Sequence, residues 1–235
     1  MSTFGVMEDE ADVLYQLMST QRAVRRLRAD PIPDDVVQRV LQAACWAPTG
    51  GNGQQWRVVV VKDPARKQAM ADLYAPAWRA YSEGYAAKIE RIPDEHRRES
   101  ARRTLDAGLR MARHFHETPV LLVFLANPSK MTITDDHLDR VSLVGGGSVY
   151  PAVQNALLAA RAEGLGCVLT TLHARFESEV QEIVGATPEW APVAVVPLGW
   201  PVGGGHGPIT RRPPAEMAFA DRFGEPWRVE GGTQE

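Results

Sequence analysis

Arginines that lie close together early in the chain have the clearest chemical potential. Arg22 and Arg25 are three positions apart, and Arg26 follows directly. In a helical turn Arg22 and Arg25 would share a face, and two guanidinium groups on one face suit a phosphate or another planar anion. Paired surface arginines often meet only solvent, so an anion site here needs support from other segments.

Two further polar segments could contact a ligand. The glycine-rich segment Pro48–Trp56 lets the backbone approach a bound molecule closely, and the Asn52 and Gln54 amides can both donate and accept hydrogen bonds. The alternative is a polar turn between a helix and a strand. The third segment is Ile209–Pro213 in the C-terminal tail, which contains two consecutive arginines.

Several common site chemistries do not fit the sequence. Gly145–Gly147 and Gly203–Gly205 match neither the dinucleotide fingerprint nor the phosphate loop, because no Gly-Lys-Ser/Thr follows. Ser148 lacks the second glycine of a nucleophile elbow. His114 and His116 are two positions apart on a predicted helix, so they point away from each other, and we expect no metal site.

The composition is that of an ordinary globular chain. It has 235 residues and 44% hydrophobic residues, which is enough for one large domain with its own core. There are 26 basic and 29 acidic residues, so a general nucleic-acid binder is not expected. Val120–Ala126 is the longest aliphatic stretch, which is far short of the ~20 residues of a membrane span.

The two cysteines and the N-terminus favour a cytoplasmic protein. Cys45 and Cys167 form no Cys-x-x-Cys pair and no disulfide framework, which fits a reducing compartment. Met1–Asp12 is acidic and has no apolar core, unlike a signal peptide. Cys167 lies near His173 in the sequence, but a buried structural thiol is the better interpretation than a catalytic dyad.

The hydrophobic pattern predicts a central sheet covered by helices, an α+β arrangement. Strands are predicted at 56–61, 118–125, 167–172 and 192–198, and helices at 9–19, 33–44, 64–73, 142–163 and 177–184. We expect one domain over 1–235. The arginine-rich segment 77–117 has few large aliphatics and suits an exposed helical lid over a site. The Gly/Pro-rich tail 200–235 cannot build much core and is expected to wrap around something.

With these segments, the chain resembles the nitroreductase family of flavin enzymes, and the resemblance covers most of residues 21–213. Members of the family begin with an arginine-rich segment, followed by a helix that starts with proline and acidic residues. A Ser-Gly-Gly-Asn-like turn then precedes a valine-rich strand. Further along, a helix of small residues contains Gln-Asn and ends in Gly-Leu-Gly, and the C-terminal tail contains Arg-x-Pro. Here these segments read Gln21-Arg22-Ala23-Val24-Arg25, Pro31-Ile32-Pro33-Asp34-Asp35, Ala47-Pro48-Thr49-Gly50-Gly51-Asn52-Gly53-Gln54-Gln55-Trp56, Gln154-Asn155, Gly164-Leu165-Gly166 and Arg211-Arg212-Pro213.

The resemblance implies an FMN site with assigned residues. By position, Arg22 and Arg211 would hold the FMN phosphate, and Arg25 would lie near flavin N1 and O2, where negative charge collects on reduction. Thr170 and Thr171 would face flavin N5. The cofactor-binding residues expected from the resemblance are Arg22, Ala23, Arg25, Pro48, Thr49, Gly50, Asn52, Gln54, Thr170, Thr171 and Arg211.

The resemblance also implies the activity and the assembly. It predicts the nitroreductase-like fold with a mostly antiparallel sheet, in a domain-swapped homodimer with one flavin at each end of the interface. The reaction would pass hydride from NADH or NADPH through FMN to a nitroaromatic, a quinone or a similar conjugated small-molecule acceptor. The alternatives are a narrower chemistry on the same fold, such as reductive dehalogenation or flavin fragmentation, and a non-catalytic flavin-binding protein.

Three positions depart from the family pattern. Gln21 stands where the family often has an arginine, Ala23 where it often has serine, and Gln55 where it usually has proline. The first two changes remove contacts to the phosphate or the ribityl chain, so the sequence predicts weaker retention of FMN. In the lid, Arg79, Tyr81 and Tyr85 either contact a specific substrate or pack on the surface.

Overall fold

The computed structural model describes residues 8–227, so the prediction for the first seven residues and for the last eight residues of the tail lies outside the described part. The helices are α1 (Glu8–Thr20), α2 (Asp34–Cys45), α3 (Pro64–Ile89), α4 (Glu95–Arg113), α5 (Tyr150–Ala162), α6 (Glu177–Val184) and α7 (Pro214–Met217). The strands are β1 (Trp56–Val61), β2 (Val120–Ala126), β3 (Gly166–Cys167) and β4 (Ala191–Gly199).

The four strands form one antiparallel sheet in the order β1-β2-β4-β3. All seven residues of β2 are buried, because β2 lies between two strands and helices cover both sides of the sheet. Val59, Val123 and Val195 lie side by side across β1, β2 and β4. The prediction of an α+β fold with a mostly antiparallel sheet is confirmed.

Successive residues of β2 alternate between two apolar cores. Leu122 and Phe124 point to the core that contains residues of α2 and α5. Leu121 and Val123 point to the core that contains residues of α3, α4 and α6. Because both faces are buried, β2 reads as an unbroken apolar run rather than as an alternating strand.

The expected lid segment is helical, but part of it belongs to the core. Helix α3 continues past Leu73 to Ile89, so the first lid helix is the extension of a core helix. Trp78, Met111 and Phe115 are buried in the second core. The expectation that this segment covers a site without forming core is therefore wrong in part, because a few large side chains at helical spacing supply apolar area that the composition hides.

The predicted long helix 142–163 is shorter than expected. Residues 142–149 form turns, and α5 begins at Tyr150 with Pro151 in its first turn. Proline suits that position because the first helical N–H groups lack partners. The glycines at 145–147 therefore lie outside α5, although the predicted helix 142–163 included them.

The predicted third strand 167–172 is largely absent. Regular pairing covers only Gly166–Cys167, and beyond it Thr170 makes an isolated bridge with Val195. From Leu172 the chain turns into a 3-10 helix that ends at Phe176. The β-branched residues predicted a longer strand, but the chain leaves the sheet edge there, and Thr170 and Thr171 lie at that exit.

The exit is fixed by a buried aromatic stack around His173. Its ring lies 5.3 Å from the Tyr74 ring and 5.3 Å from the Phe115 ring, and Nε2 lies 3.0 Å from the Met70 carbonyl oxygen. Burial lowers the pKa of His173 to about 4. The imidazole is therefore neutral in the folded protein at neutral pH, and it contributes to packing of the core.

This pKa predicts how stability depends on pH. Below pH 6.5 the unfolded chain protonates His173 while the folded chain does not, so the free energy of unfolding falls as pH drops from about 6.5 to about 4. The full loss is about 3 kcal/mol. Urea titrations at several pH values should show a shallower acid slope for His173→Gln than for the wild type. The exposed His137→Gln is the control, and an unchanged slope in His173→Gln would contradict the assignment.

Candidate functional site

The arginine-rich segment 22–28 runs along the β3 edge of the sheet. The Val24 N–H donates to the Cys167 carbonyl at 2.9 Å, and the Arg28 N–H donates to the Trp200 carbonyl at 2.8 Å. The segment lies outside any helix, so the helical turn considered for Arg22 and Arg25 does not form. Backbone pairing holds the segment in place instead, and both side chains line the same cavity.

Gly166 makes this close approach possible. A Cβ atom at Gly166 would lie 2.7 Å from both Val24 Cγ1 and Leu27 Cδ2, which is closer than real side chains come. The Gly-Leu-Gly sequence after α5 therefore does more than end a helix. Its second glycine leaves room for the segment that carries the arginines.

These arginines face a cavity of about 590 Å³. Four arginines line it, and none of the described residues that line it carries a carboxylate. We call it the arginine cavity, and it is lined by Arg22, Ala23, Val24, Arg25, Arg26, Ser100, Arg103, Thr104, Ala107, Val202, Gly204 and Gly205. Such a donor set suits a phosphate, which accepts several charge-assisted hydrogen bonds.

The tail holds Arg22 in position. Arg22 Nε donates to the Gly205 carbonyl at 2.8 Å. Gly205 has a φ of +61°, and a Cβ atom there would lie 2.4 Å from Pro201 Cβ, so the turn requires glycine. Sequence reasoning set the 203–205 run aside because it matches no nucleotide motif. The role of this run is to position Arg22. The only signal in the sequence was that the run comes shortly before the basic segment Ile209–Pro213.

A second cavity of about 400 Å³ adjoins the first and shares Arg25 and Thr104 with it. We call it the aromatic cavity, and it is lined by Arg25, Trp78, Tyr81, Tyr85, Thr104, Leu105, Leu169, Thr170, Thr171 and Leu172. The Trp78 and Tyr81 ring centroids are 5.5 Å apart, and those of Tyr81 and Tyr85 are 6.1 Å apart. This row of rings from α3 can contact a planar aromatic molecule.

Thr170 and Thr171 differ in what they can offer a ligand. Thr170 is buried, and its backbone N–H donates to the Val195 carbonyl at 3.0 Å. Burial raises the pKa of Tyr74 to about 12, and a side-chain hydrogen bond with Thr170 and the charge of Arg25 act in the opposite direction. Thr170 Oγ1 also accepts from the Leu172 N–H at 3.4 Å. Thr171 is exposed, and the described residues supply no acceptor for its N–H.

The Pro48–Gln54 turn lies away from both cavities. It precedes β1, at the sheet edge opposite to the one that carries Thr170, and the two edges are separated by three strand spacings, about 14 Å across the sheet. The Gly50 N–H donates to Ser148 Oγ at 3.1 Å, and Asn52 and Gln54 adopt positive φ angles of 54° and 48°. The turn is thus a well-defined, exposed structure that does not line either cavity.

The structure therefore divides the expected site residues into two groups. Around the two cavities it brings together Arg22, Ala23, Arg25, Thr170 and Thr171. It does not bring to them Pro48, Thr49, Gly50, Asn52, Gln54 and Arg211. Arg211 is exposed and donates only to the neighbouring Thr210 carbonyl.

Sequence reasoning predicted the lid and named Arg79, Tyr81 and Tyr85 in it. Tyr81 and Tyr85 line the aromatic cavity and Arg79 lines neither cavity, but three further lid residues were missed. Trp78, Arg103 and Thr104 line the cavities but match no family motif, and only the arginine-rich composition of the segment signalled a role. Cys167, which had been weighed as a nucleophile, lines neither cavity. Burial raises the pKa of its thiol to about 12, so it stays protonated and unreactive.

Comparison with known proteins identifies the family. The nitroreductase family model matches residues 18–200. A 5,6-dimethylbenzimidazole synthase from Rhodospirillum rubrum is 32% identical over 195 residues, which cover 82% of each chain. The chain belongs to the nitroreductase family, whose members are oxidoreductases or related flavin enzymes.

Solved structures show the same fold. The NADPH:FMN oxidoreductase from Vibrio harveyi complexed with NAD+ superimposes with a TM-score of 0.64 at 20% identity, over 91% of this chain and 79% of that one. An iodotyrosine deiodinase bound to FMN and 3-iodo-L-tyrosine superimposes with a TM-score of 0.60 at 23% identity, over 89% and 98% of the two chains. At these identities the likeness establishes the fold alone. Within residues 8–227 no helix has the length and apolar character to cross a membrane.

The position of Trp78 depends on a glycine of α4. A Cβ atom at Gly108 would lie 2.0 Å from Trp78 Cζ2. We expect Gly108→Ala to displace the indole and to lower the free energy of unfolding by about 1–3 kcal/mol, as overpacking does. Gly84→Ala is the control, because Gly84 lies in α3 with no atom within 4 Å, and it should stabilise by about 0.5–1 kcal/mol. Equal stabilisation by both variants in urea unfolding would refute the contact.

Proposed function

We propose that this protein is an FMN-dependent oxidoreductase that takes hydride from NADH or NADPH. The observation that carries the proposal is the pair of adjoining cavities, one cationic and one aromatic, joined at Arg25. FMN has the same two parts, a phosphate and a planar ring system. When bound, it would accept hydride from the donor and pass it to an acceptor.

The donor set fits the two ends of FMN. In the arginine cavity, Arg22 is held by Gly205 and would bind the phosphate. Arg25 lies between the cavities, where its positive charge would stabilise negative charge near flavin N1 and O2. Of the two threonines, Thr171 is the better partner for flavin N5, because its hydroxyl and N–H are exposed while Thr170 is already engaged.

The remaining expected contacts would come from a second copy of the chain. The Pro48–Gln54 turn is ordered and exposed, yet it lies at the far edge of the sheet. In a homodimer this turn would reach the partner's cavities with Pro48, Thr49, Gly50, Asn52 and Gln54. Arg211 would contact the phosphate only if the tail moved or crossed to the other subunit, as in the predicted domain-swapped arrangement.

The cavity lining suits a reaction without a protein acid or base. Neither cavity is lined by Asp, Glu, His or Cys among the described residues. Hydride transfer requires that the donor carbon be held against the flavin, and the protein contributes positioning and electrostatics. The site can therefore support hydride transfer with the groups that it has.

The acceptor that would best fit beside the flavin ring in the aromatic cavity is a planar conjugated molecule, such as a nitroaromatic or a quinone. Trp78, Tyr81 and Tyr85 supply ring surfaces, and Arg25 and Thr104 supply hydrogen-bond donors. The lining has no carboxylate that could pair with an ammonium group. This disfavours an amino-acid substrate like the 3-iodo-L-tyrosine bound to iodotyrosine deiodinase.

Flavin fragmentation is the second candidate, because the 5,6-dimethylbenzimidazole synthase matches 82% of the chain. The two functions differ in product. Incubation of the protein with FMN, NADPH and oxygen, followed by chromatography, would reveal 5,6-dimethylbenzimidazole if fragmentation occurs. A flavin that binds but is reduced by neither NADH nor NADPH would instead indicate a non-catalytic flavin-binding protein.

The hydride reaction can be tested by rapid mixing under anaerobic conditions. With FMN saturating, NADH or NADPH should bleach the flavin absorbance, and nitroaromatics or quinones should restore it. Arg25→Ala should slow bleaching about ten- to hundredfold, since a hydrogen bond to a charged group is worth about 1.5–3 kcal/mol. Cys167→Ser should reduce the rate only slightly, because the buried thiol takes no part.

Arg28→Ala is the matched control for Arg25→Ala. Arg28 belongs to the same segment but pairs with Asp30 and lines neither cavity. The rate of flavin bleaching in Arg28→Ala should equal that of the wild type. A rate for Arg25→Ala that also equals the wild-type rate would remove Arg25 from the site, and a thousandfold loss in Cys167→Ser would reveal a thiol step.

The homodimer is expected from exposed apolar side chains. Phe223 is 94% exposed, Val141 84%, Leu143 78% and Trp46 74%, and α1 exposes Val13, Leu14, Tyr15 and Met18. Large apolar side chains that are exposed in one subunit would be covered in an obligate interface. Light scattering at micromolar concentration should give twice the 25.8 kDa chain mass. A monomer that still binds FMN would contradict both the dimer and the shared site.

A further inference from the structure

Helix α4 presents one face to the arginine-rich segment. Positions three, four and seven apart share a helix face, and the residues of α4 that line the arginine cavity follow this spacing. They are Ser100, Arg103, Thr104 and Ala107. One turn further on, Arg110 lines a smaller space of about 30 Å³ together with Arg25 and Arg26. The lid helix therefore lies directly opposite the predicted phosphate site.

Positive charge is present on both sides of the boundary between α4 and the 22–28 segment, which we call the seam. The core side carries Arg22, Arg25 and Arg26, and α4 adds Arg103 and Arg110. Glu117 is the carboxylate among the described residues that line these two spaces, and its Oε1 lies 2.9 Å from His114 Nδ1. Facing guanidinium groups repel each other unless an anion lies between them. The seam is therefore built to close around an anion.

In the first part of α4, the apolar contact with the second core comes from the half-buried Leu105. None of the α4 residues before Gly108 is buried, and the buried residues of the helix are Gly108, Met111 and Ala112. The ion pair of Arg103 joins it to Glu99 on the same helix at 3.7 Å, so it does not attach the helix to the core. Leu105 and the exposed Arg102–Glu90 ion pair connect residues 95–107 to α3 and the second core, so an anion bound by both Arg22 and Arg103 would add a contact to the 22–28 segment across the cavity.

We propose that Arg103 of α4 binds the cofactor phosphate together with Arg22, so that FMN binding draws the lid helix onto the core. The proposal rests on the function proposed above. Arg103 would then supply the second cation that the sequence assigned to Arg211, which lines neither cavity. A phosphate bridging two segments also neutralises the charge that otherwise holds them apart.

Riboflavin is the probe that separates this inference from the proposed function, since it has the ring system of FMN without the phosphate. The dissociation constants of FMN and riboflavin are measured by quenching of flavin fluorescence on the full-length apoprotein. Arg103→Ala should weaken FMN binding at least tenfold and leave riboflavin binding unchanged. Arg103→Lys, which keeps the charge, should recover part of the loss.

Arg102→Ala is the matched control for Arg103→Ala. Arg102 is the preceding residue of α4, but it pairs with Glu90 at 2.7 Å and lines neither cavity. Its FMN affinity should equal that of the wild type. Arg22→Ala should weaken FMN as strongly as Arg103→Ala, because both residues bind the same group.

Amide hydrogen exchange gives a readout that is independent of affinity. In the wild type, FMN should slow exchange across residues 95–107 and riboflavin should not, and Arg103→Ala should lose the effect. Unchanged FMN affinity in Arg103→Ala, or equal slowing by riboflavin, would overturn this inference and leave the flavin function standing. A wild-type protein that binds neither FMN nor riboflavin would overturn both.

Discussion

The candidate site depends on the backbone pairing between the 22–28 segment and the β3 edge. The Val24 N–H donates to Cys167 of β3, the Arg28 N–H donates to Trp200, which follows β4, and the Val202 N–H donates back to the Arg26 carbonyl at 2.9 Å. These bonds bring the side chains of Arg22, Arg25 and Arg26 to one cavity whose lining has no carboxylate. Such an arrangement costs electrostatic free energy in an empty fold, so the surrounding structure has to hold it.

The second constraint is the double burial of the sheet. Because β2 and β4 carry apolar side chains on both faces of the sheet, helices must cover each face. On one face α3 supplies this cover and then continues beyond the core, where α4 packs back against it through Gly108 and Trp78. The same helix pair thus stabilises the fold and forms the wall of the aromatic cavity, so changes in the cavity wall also affect stability.

The family relationship leaves the chemistry open, and the cavity lining narrows it. A fold shared with both an NADPH:FMN oxidoreductase and an iodotyrosine deiodinase can serve different acceptors. In this chain the lid contributes rings, hydroxyl groups and guanidinium groups, and no carboxylate to either cavity. That combination favours flat, electron-poor molecules and phosphorylated ligands over zwitterions. The proposed acceptor class follows from this selection of side-chain types.

The sequence alone determined the elements that local pattern specifies. The apolar runs of β1, β2 and β4 and the acidic first turn of α2 could be predicted because burial and capping act over a few residues. The motifs also placed Arg22, Arg25 and Thr171 in a candidate site, and the structure brings these three to adjoining cavities.

Only the tertiary structure decided which other residues join them. Arg103 and Trp78 enter the site because α3 and α4 fold back over the sheet face, and Gly205 enters because the tail returns along the 22–28 segment. The same folding leaves the Pro48–Gln54 turn at the opposite edge. Local spacing carries no information on such contacts, since they join residues far apart in the chain, and their positions follow from packing of the whole domain.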